Sequence, residues 1–214
     1  MSTEVPLGTD LKLDFAVLEL TKDTLRVRYE AENVGASDLY LFNRLYRTYT
    51  DEGVFELDPD LVYVYPEDGV AHLTKRIPDI PRGIHVEIPI VPCVTVLSRG
   101  RRLSESMSLR LPLRQHDPYR PEETPAIQGF DSVVFSLGYF RASEIGKRPV
   151  NYVRTTQGQA LHAYVTPWDQ LFARTAPVEA RSARESAAEQ TRCPRCGAAL
   201  PPGSRFCNQC GSPV

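Results

Sequence analysis

The chain has 214 residues, 42% hydrophobic and 24% charged, with a formal charge of −2. That suits one self-sufficient domain plus an appendage and excludes bulk electrostatic attraction to nucleic acid or anionic membrane. The 18 prolines and 13 glycines break the chain into short segments and favour all-β structure. The longest apolar stretch, around Ile88 to Leu97, is interrupted by prolines and falls short of the ~20 residues a membrane helix needs. The first ten residues carry Glu4 and Asp10 and lack the basic start and apolar run of an export signal. No membrane span and a cytoplasmic location are therefore expected.

Taken in chain order, the first period-two pattern is Leu11-Leu13-Phe15-Val17. In the next, Leu25, Val27, Tyr29 and Ala31 alternate with Arg26, Arg28, Glu30 and Glu32, as in a strand buried on one face. Asn33-Val34-Gly35-Ala36-Ser37-Asp38 follows as a turn, and Leu39 to Tyr49 resumes an extended pattern, predicting a hairpin. Between Leu39 and Tyr46 both alternating sets are apolar, so this strand is expected to be covered on both faces. The rhythm recurs at Leu61 to Tyr65, Ile84 to Ile90, Met107 to Leu113, Val133 to Tyr139 and Leu161 to Val165. About eight strands separated by turns predict a sandwich or barrel rather than alternating α/β units, and a sandwich is favoured. The expected body is an antiparallel, immunoglobulin-like β-sandwich over residues 5–170. Pro89, Pro92 and Pro112 interrupt strand-like runs, which predicts border strands there. Arg114 to Gly129, with Pro118, Pro121 and Pro125, reads as a long surface connection. Residues 171–191 read as a linker rich in Ala, Glu and Arg, because the apolar pattern fades after Trp168.

The tail reads Cys193-Pro194-Arg195-Cys196-Gly197, a spacer, then Cys207-Asn208-Gln209-Cys210-Gly211. Two intervening residues let both thiolates of a pair reach one metal, and the glycine after each pair is free to take positive φ. Paired CxxC units in a chain without an export signal point to metal ligation in a reducing compartment rather than to disulfides. The segment 192–214 is too small to fold by apolar burial alone, so one structural zinc ion is expected to hold it. All four positions being cysteine leaves no place for an activated water. This tail resembles the short four-cysteine zinc-ribbon domains, CxxCG…CxxCG, that end many bacterial and archaeal proteins. The resemblance implies a minimal ribbon with Cys193, Cys196, Cys207 and Cys210 as ligands. It implies little about function, since such ribbons contact proteins or nucleic acid or simply cap a chain.

Elsewhere the candidates are sparse. Arg192, Arg195 and Arg205 make the tail basic and offer a route to phosphates, while Arg99, Arg101 and Arg102 read as a hairpin tip. His116-Asp117 is the most enzyme-like pair, yet adjacency in a proline-rich loop does not set the geometry of a base and its orienting group. His72, His85 and His162 occur singly, and Cys93, flanked by Val91, Val94 and Val96, reads as a small buried hydrophobe. Phosphate-cradling glycine loops, GxSxG elbows and HExxH motifs are lacking. The sequence therefore predicts a non-enzymatic adaptor or scaffold that meets another protein. The alternatives are a nucleic-acid-associated factor using the basic ribbon, and an enzyme with its site near 114–129.

Overall fold

The computed structural model describes residues 7–122, 125–127, 129–147, 149–180, 193, 195–196, 206–207 and 209–213. Among them the regular structure is all β, with two short 3-10 turns and no α-helix. The strands are β1 (Leu11–Leu20), β2 (Thr24–Asn33), β3 (Leu39–Arg44), β4 (Tyr46–Tyr49), β5 (Val54–Leu57), β6 (Tyr63–Glu67), β7 (Val70–Lys75), β8 (Cys93–Leu97), β9 (Arg102–Arg110), β10 (Ser132–Arg141), β11 (Val150–Thr155), β12 (Gly158–Ala163), β13 (Leu171–Arg174) and β14 (Val178–Glu179). β1, β2 and β9 form an antiparallel three-stranded sheet. The remaining eleven run in the order β4-β5-β11-β12-β8-β3-β10-β7-β6, with β13 and β14 also on β10.

The alternation of β2 places Leu25, Val27, Tyr29 and Ala31 fully inside, where they meet Leu73, Val133, Phe135 and Leu137 of the large sheet in the main core. Phe15 and Tyr29 stack on Phe135 with ring centroids 5.5 and 4.6 Å away. The small sheet is therefore a lid over β7 and β10, held by apolar burial and aromatic packing. β3 is covered on both faces, as its doubly apolar pattern predicts. Leu39 and Leu41 join the main core, while Phe42 packs with Val94, Phe140 and Ala163 on the other side.

β10 is the hub, and its register fixes its neighbours. Ser136 pairs with Thr74 of β7 and with Arg174 of β13, so those strands flank opposite edges. Tyr139 pairs with Leu41 of β3 and with Leu171 of β13, which puts β3 on the same edge as β7. β14 continues beyond β13 along the other edge.

Five expectations are corrected. The large sheet is mixed rather than antiparallel, because β7 pairs with β10 and β5 with β11 in parallel. Period-two alternation reports faces and carries no information on strand direction. The turn at 33–38 makes no hairpin: β2 stays in the small sheet and β3 enters the large one. Asn33 fixes this corner, its Nδ2 donating to Leu97 O (2.8 Å) and Ser37 O (2.9 Å) while Oδ1 accepts from Gly35 N (3.0 Å). Residues 84–90 form no strand, and Ile88 is 83% exposed; Pro89 deprives that run of a ladder donor, and Pro81 and Pro92 bracket it. Pro92 also precedes an interior strand, β8, whereas Pro112 does follow the edge strand β9. Finally, β13 and β14 occupy part of the expected 171–191 linker, since the free edge of β10 recruits two segments too short to show periodicity. Residues 181–191 lie outside the described set.

One polar cluster ties the start of the body to β10. Asp10 Oδ2 accepts from Arg141 Nε (3.0 Å) and Nη2 (2.7 Å), and Tyr139 OH lies 3.4 Å away. The guanidinium holds the Asp10 carboxyl below the usual carboxylate range. A carboxyl with a depressed folded pKa adds stability above its unfolded pKa, about 3.9, that is lost as pH falls through the folded value. Arg141→Met is therefore expected to cost about 1–2 kcal/mol at neutral pH. Urea titrations should show the gap between wild type and variant closing below about pH 3, and a gap that persists there would argue for lost packing instead.

Candidate metal centre and other polar sites

The four tail cysteines converge. Their sulfur atoms all lie within 4.8 Å of one another, with Cys193 Sγ to Cys210 Sγ and Cys196 Sγ to Cys207 Sγ both 3.6 Å. Zinc–thiolate bonds of about 2.3 Å in a tetrahedron require sulfur separations of about 3.8 Å, so the donor set fits one zinc ion. Cys193 and Cys207 are buried, and Cys196 and Cys210 are exposed.

The second knuckle shows how the backbone builds the site. Gln209 N–H points at Cys207 Sγ (3.4 Å), Gly211 N donates to Cys207 O (2.8 Å), and Cys207 N donates to Ser212 O (2.8 Å). Gly211 takes φ +70°, which lets the chain fold back so that Phe206 and Pro213 pair in a short antiparallel bridge. N–H dipoles from Gln209 and Cys210 lower the Cys207 thiol pKa. Ser212 beside Cys210 brings that thiol to about 6. Both shifts favour the thiolate that a metal binds. Arg195 donates to Ser212 Oγ (3.2 Å) and so braces this turn. Arg192 and Arg205 lie outside the described residues.

The expected enzyme-like pair does not assemble. His116 bridges to Val64 through both backbone groups, 3.0 and 3.2 Å, and lays its ring near Tyr63, 5.8 Å between centroids. Burial lowers its pKa. Asp117 faces a different cavity and accepts from Tyr119 N (2.9 Å) as a turn residue. His116 thus adds a single bridge to the outer edge of β6. Cys93 is buried with its thiol pushed up to about 11 by burial, as a packing residue rather than a nucleophile. His162 sets Nε2 3.1 Å from Val91 O, and burial lowers its pKa. His85 is exposed in the 84–90 loop, and Arg102 bonds Glu30 and Glu32 across the small sheet.

Sequence reasoning missed a buried charge. Lys75, at the end of β7, is 1% exposed. Its Nζ donates to Pro59 O (2.8 Å) and lies 3.9 Å from Glu105 Oε2. Glu105 in turn accepts from Tyr29 OH (2.5 Å) and from Asn43 Nδ2 (2.9 Å). The four side chains come from β7, β9, β2 and β3, so the network stitches the two sheets together at the margin of a cavity of about 210 Å³. Burial lowers the Lys75 pKa against the pull of Glu105. The only signal in the sequence is a lysine closing the apolar-periodic run Val70–Lys75, which normally marks a strand end reaching solvent.

The tail geometry defines a closed four-thiolate zinc site of the ribbon type. Residues 192–214 match the family model of the zinc-ribbon domain. No curated protein and no solved structure matches the chain. No helix among the described residues is long and apolar enough to cross a membrane.

Proposed function

We propose that the protein is a non-enzymatic adaptor or scaffold of a reducing, cytoplasmic compartment, in which the β body engages one protein and the zinc ribbon a second contact. The observation that carries this reading is the closed four-cysteine site: four thiolates fill the tetrahedron, leaving zinc a folding role and no position for substrate or activated water. In this reading the body works as an immunoglobulin-like sandwich, which the packing of the small sheet across the large one supports. Such bodies dock through edge strands and end loops. β4 ends the large sheet with no further strand beside it among the described residues. Tyr49 on β4 is 58% exposed and Tyr152 on β11 is 71% exposed, an aromatic surface of the kind enriched at interfaces. Two modules on one chain raise overall avidity without new chemistry.

Affinity capture from the native host tests this, with intact protein beside Cys193→Ser/Cys196→Ser. Protein partners that survive nuclease treatment, a subset of them lost with the ribbon variant, are the expected outcome. Recovery of nucleic acid alone, salt-sensitive and dependent on the ribbon, would replace the adaptor reading with one based on Arg192, Arg195 and Arg205.

A further inference from the structure

A polar hollow lies on the face of the large sheet turned away from the main core. Along β10 the residues Val133, Phe135, Leu137 and Tyr139 point into that core, so Ser136 and Gly138 face the other way. In register with Ser136 stand Thr74 on one side and Arg174 on the other. Three adjacent strands therefore carry a row Thr74–Ser136–Arg174, about 10 Å from end to end at the usual strand spacing. Beside it, Phe172 lies opposite Gly138.

Gly138 matters through its missing Cβ, which would sit 2.6 Å from Arg76 Cβ and 3.0 Å from Arg76 Cα. The chain leaving β7 presses on the sheet there, and Gln170 clamps it, accepting from Ile77 N (3.0 Å) and donating to Ile77 O (2.8 Å). The result is a fixed Arg76 whose guanidinium lies 5.5 Å from the Phe172 ring, with that of Arg174 5.6 Å from the same ring. The hollow so enclosed has a volume of about 460 Å³, within the range of small-molecule sites.

Two features mark it as made for a ligand. Thr74, 5% exposed, lines the hollow, and its buried Oγ1 has no hydrogen-bond partner among the described residues, a state that is costly unless something supplies one. Arg174 has no carboxylate within ion-pair distance among the described residues, whereas Arg76 is neutralised by Asp79 and His72 lies 3.3 Å from Glu67. One uncommitted guanidinium fork and one uncommitted buried hydroxyl, with Ser136 between them, form a donor set for a single planar anion.

We propose that this hollow binds a small organic carboxylate, its anionic group lying over Ser136 between Arg174 and Thr74. Asp117 and Tyr65 also line the hollow and favour a polar, uncharged or cationic remainder over a second anion. Phosphate offers the guanidinium a similar two-oxygen edge but carries more negative charge, which Glu67, Asp79 and Asp117 around the hollow disfavour.

Solution NMR of the full chain tests the site, titrating acetate and inorganic phosphate separately at matched ionic strength with chloride as the control. Acetate is expected to give saturable shifts at the amides of Thr74 and Ser136 and at Arg174 Nε, with phosphate weaker. Arg174→Gln and Thr74→Val should each weaken acetate binding by about tenfold or more, the loss of one hydrogen bond to a charged group. Thr74→Val should nonetheless melt no lower than wild type, because it removes a hydroxyl that is unsatisfied without ligand. Shifts no larger than those of chloride, preference for phosphate, or unchanged affinity in both variants would each overturn the proposal.

Discussion

Removing the metal is expected to unfold the C-terminal ribbon completely while leaving the β body's own unfolding transition in place. Structural zinc in peptides of this size supplies an apparent 10–16 kcal/mol, roughly, near neutral pH, and no other contact among the described residues of the segment approaches that. Its described internal contacts are one bridge between Phe206 and Pro213, a few backbone bonds in the second knuckle and the Arg195–Ser212 contact, each worth about 1 kcal/mol. Cys207→Ser should therefore act like chelation, because three thiolates and a hydroxyl bind zinc far more weakly than four thiolates. Metal analysis should find a single zinc per chain in wild type and none in the variant. The amides of Cys207, Gln209 and Gly211 should collapse to random-coil shifts while those of β2 and β10 stay put. Reduced protein that carries no metal, or a tail that keeps its amide dispersion after chelation, would refute a metal-held ribbon.

How far the sequence revealed the molecule depended on the range of the signal. The ribbon was fully legible, since its ligand set is encoded in two local CxxC units and a metal demands a fixed separation of sulfurs whatever surrounds it. β1, β2, the doubly covered β3 and β10 were legible for a similar reason: alternation over ten residues, as in Thr24–Asn33, is itself the imprint of one buried face. Pairing was not. That Ser136 lies between Thr74 and Arg174 depends on residues about 60 positions to one side and nearly 40 to the other, and nothing local fixes such a register. The run Ile84 to Ile90 shows the converse error. Its alternation is real, but one proline inside the run and one on each side of it work against a ladder. The polar hollow and the buried Lys75 share this origin, for each gathers ordinary residues from three or four strands.

Glu105→Gln is expected to destabilise the body by about 3 kcal/mol, more than Lys75→Met, although both remove one partner of the same ion pair. The asymmetry follows from burial. Lys75 is enclosed by protein, whereas a third of the Glu105 side chain reaches solvent, so losing the carboxylate strands a charge that losing the lysine does not. Without Glu105, Lys75 Nζ keeps the Pro59 carbonyl and the more distant pull of Asp58 and Asp60, and the Tyr29 hydroxyl must share an amide oxygen. Methionine at 75 instead fills much of the same volume and leaves Glu105 its bonds from Tyr29 and Asn43. The pH response separates this account from simple loss of packing. Because burial already depresses the Lys75 pKa in the folded state, the unfolded chain binds more protons between the folded value and the unfolded one near 10.4, and stability rises with pH across that window. Glu105→Gln removes an opposing attraction, lowers the folded value further and widens the window downward. Its deficit against wild type should therefore shrink as pH climbs from 7 toward about 10, above which tyrosine ionisation intervenes. Chemical denaturation at pH intervals reads both quantities, with Lys75→Met/Glu105→Gln as the control in which that recovery should vanish. A deficit in Glu105→Gln that stays constant with pH would mean that Lys75 is not the group left unpaired.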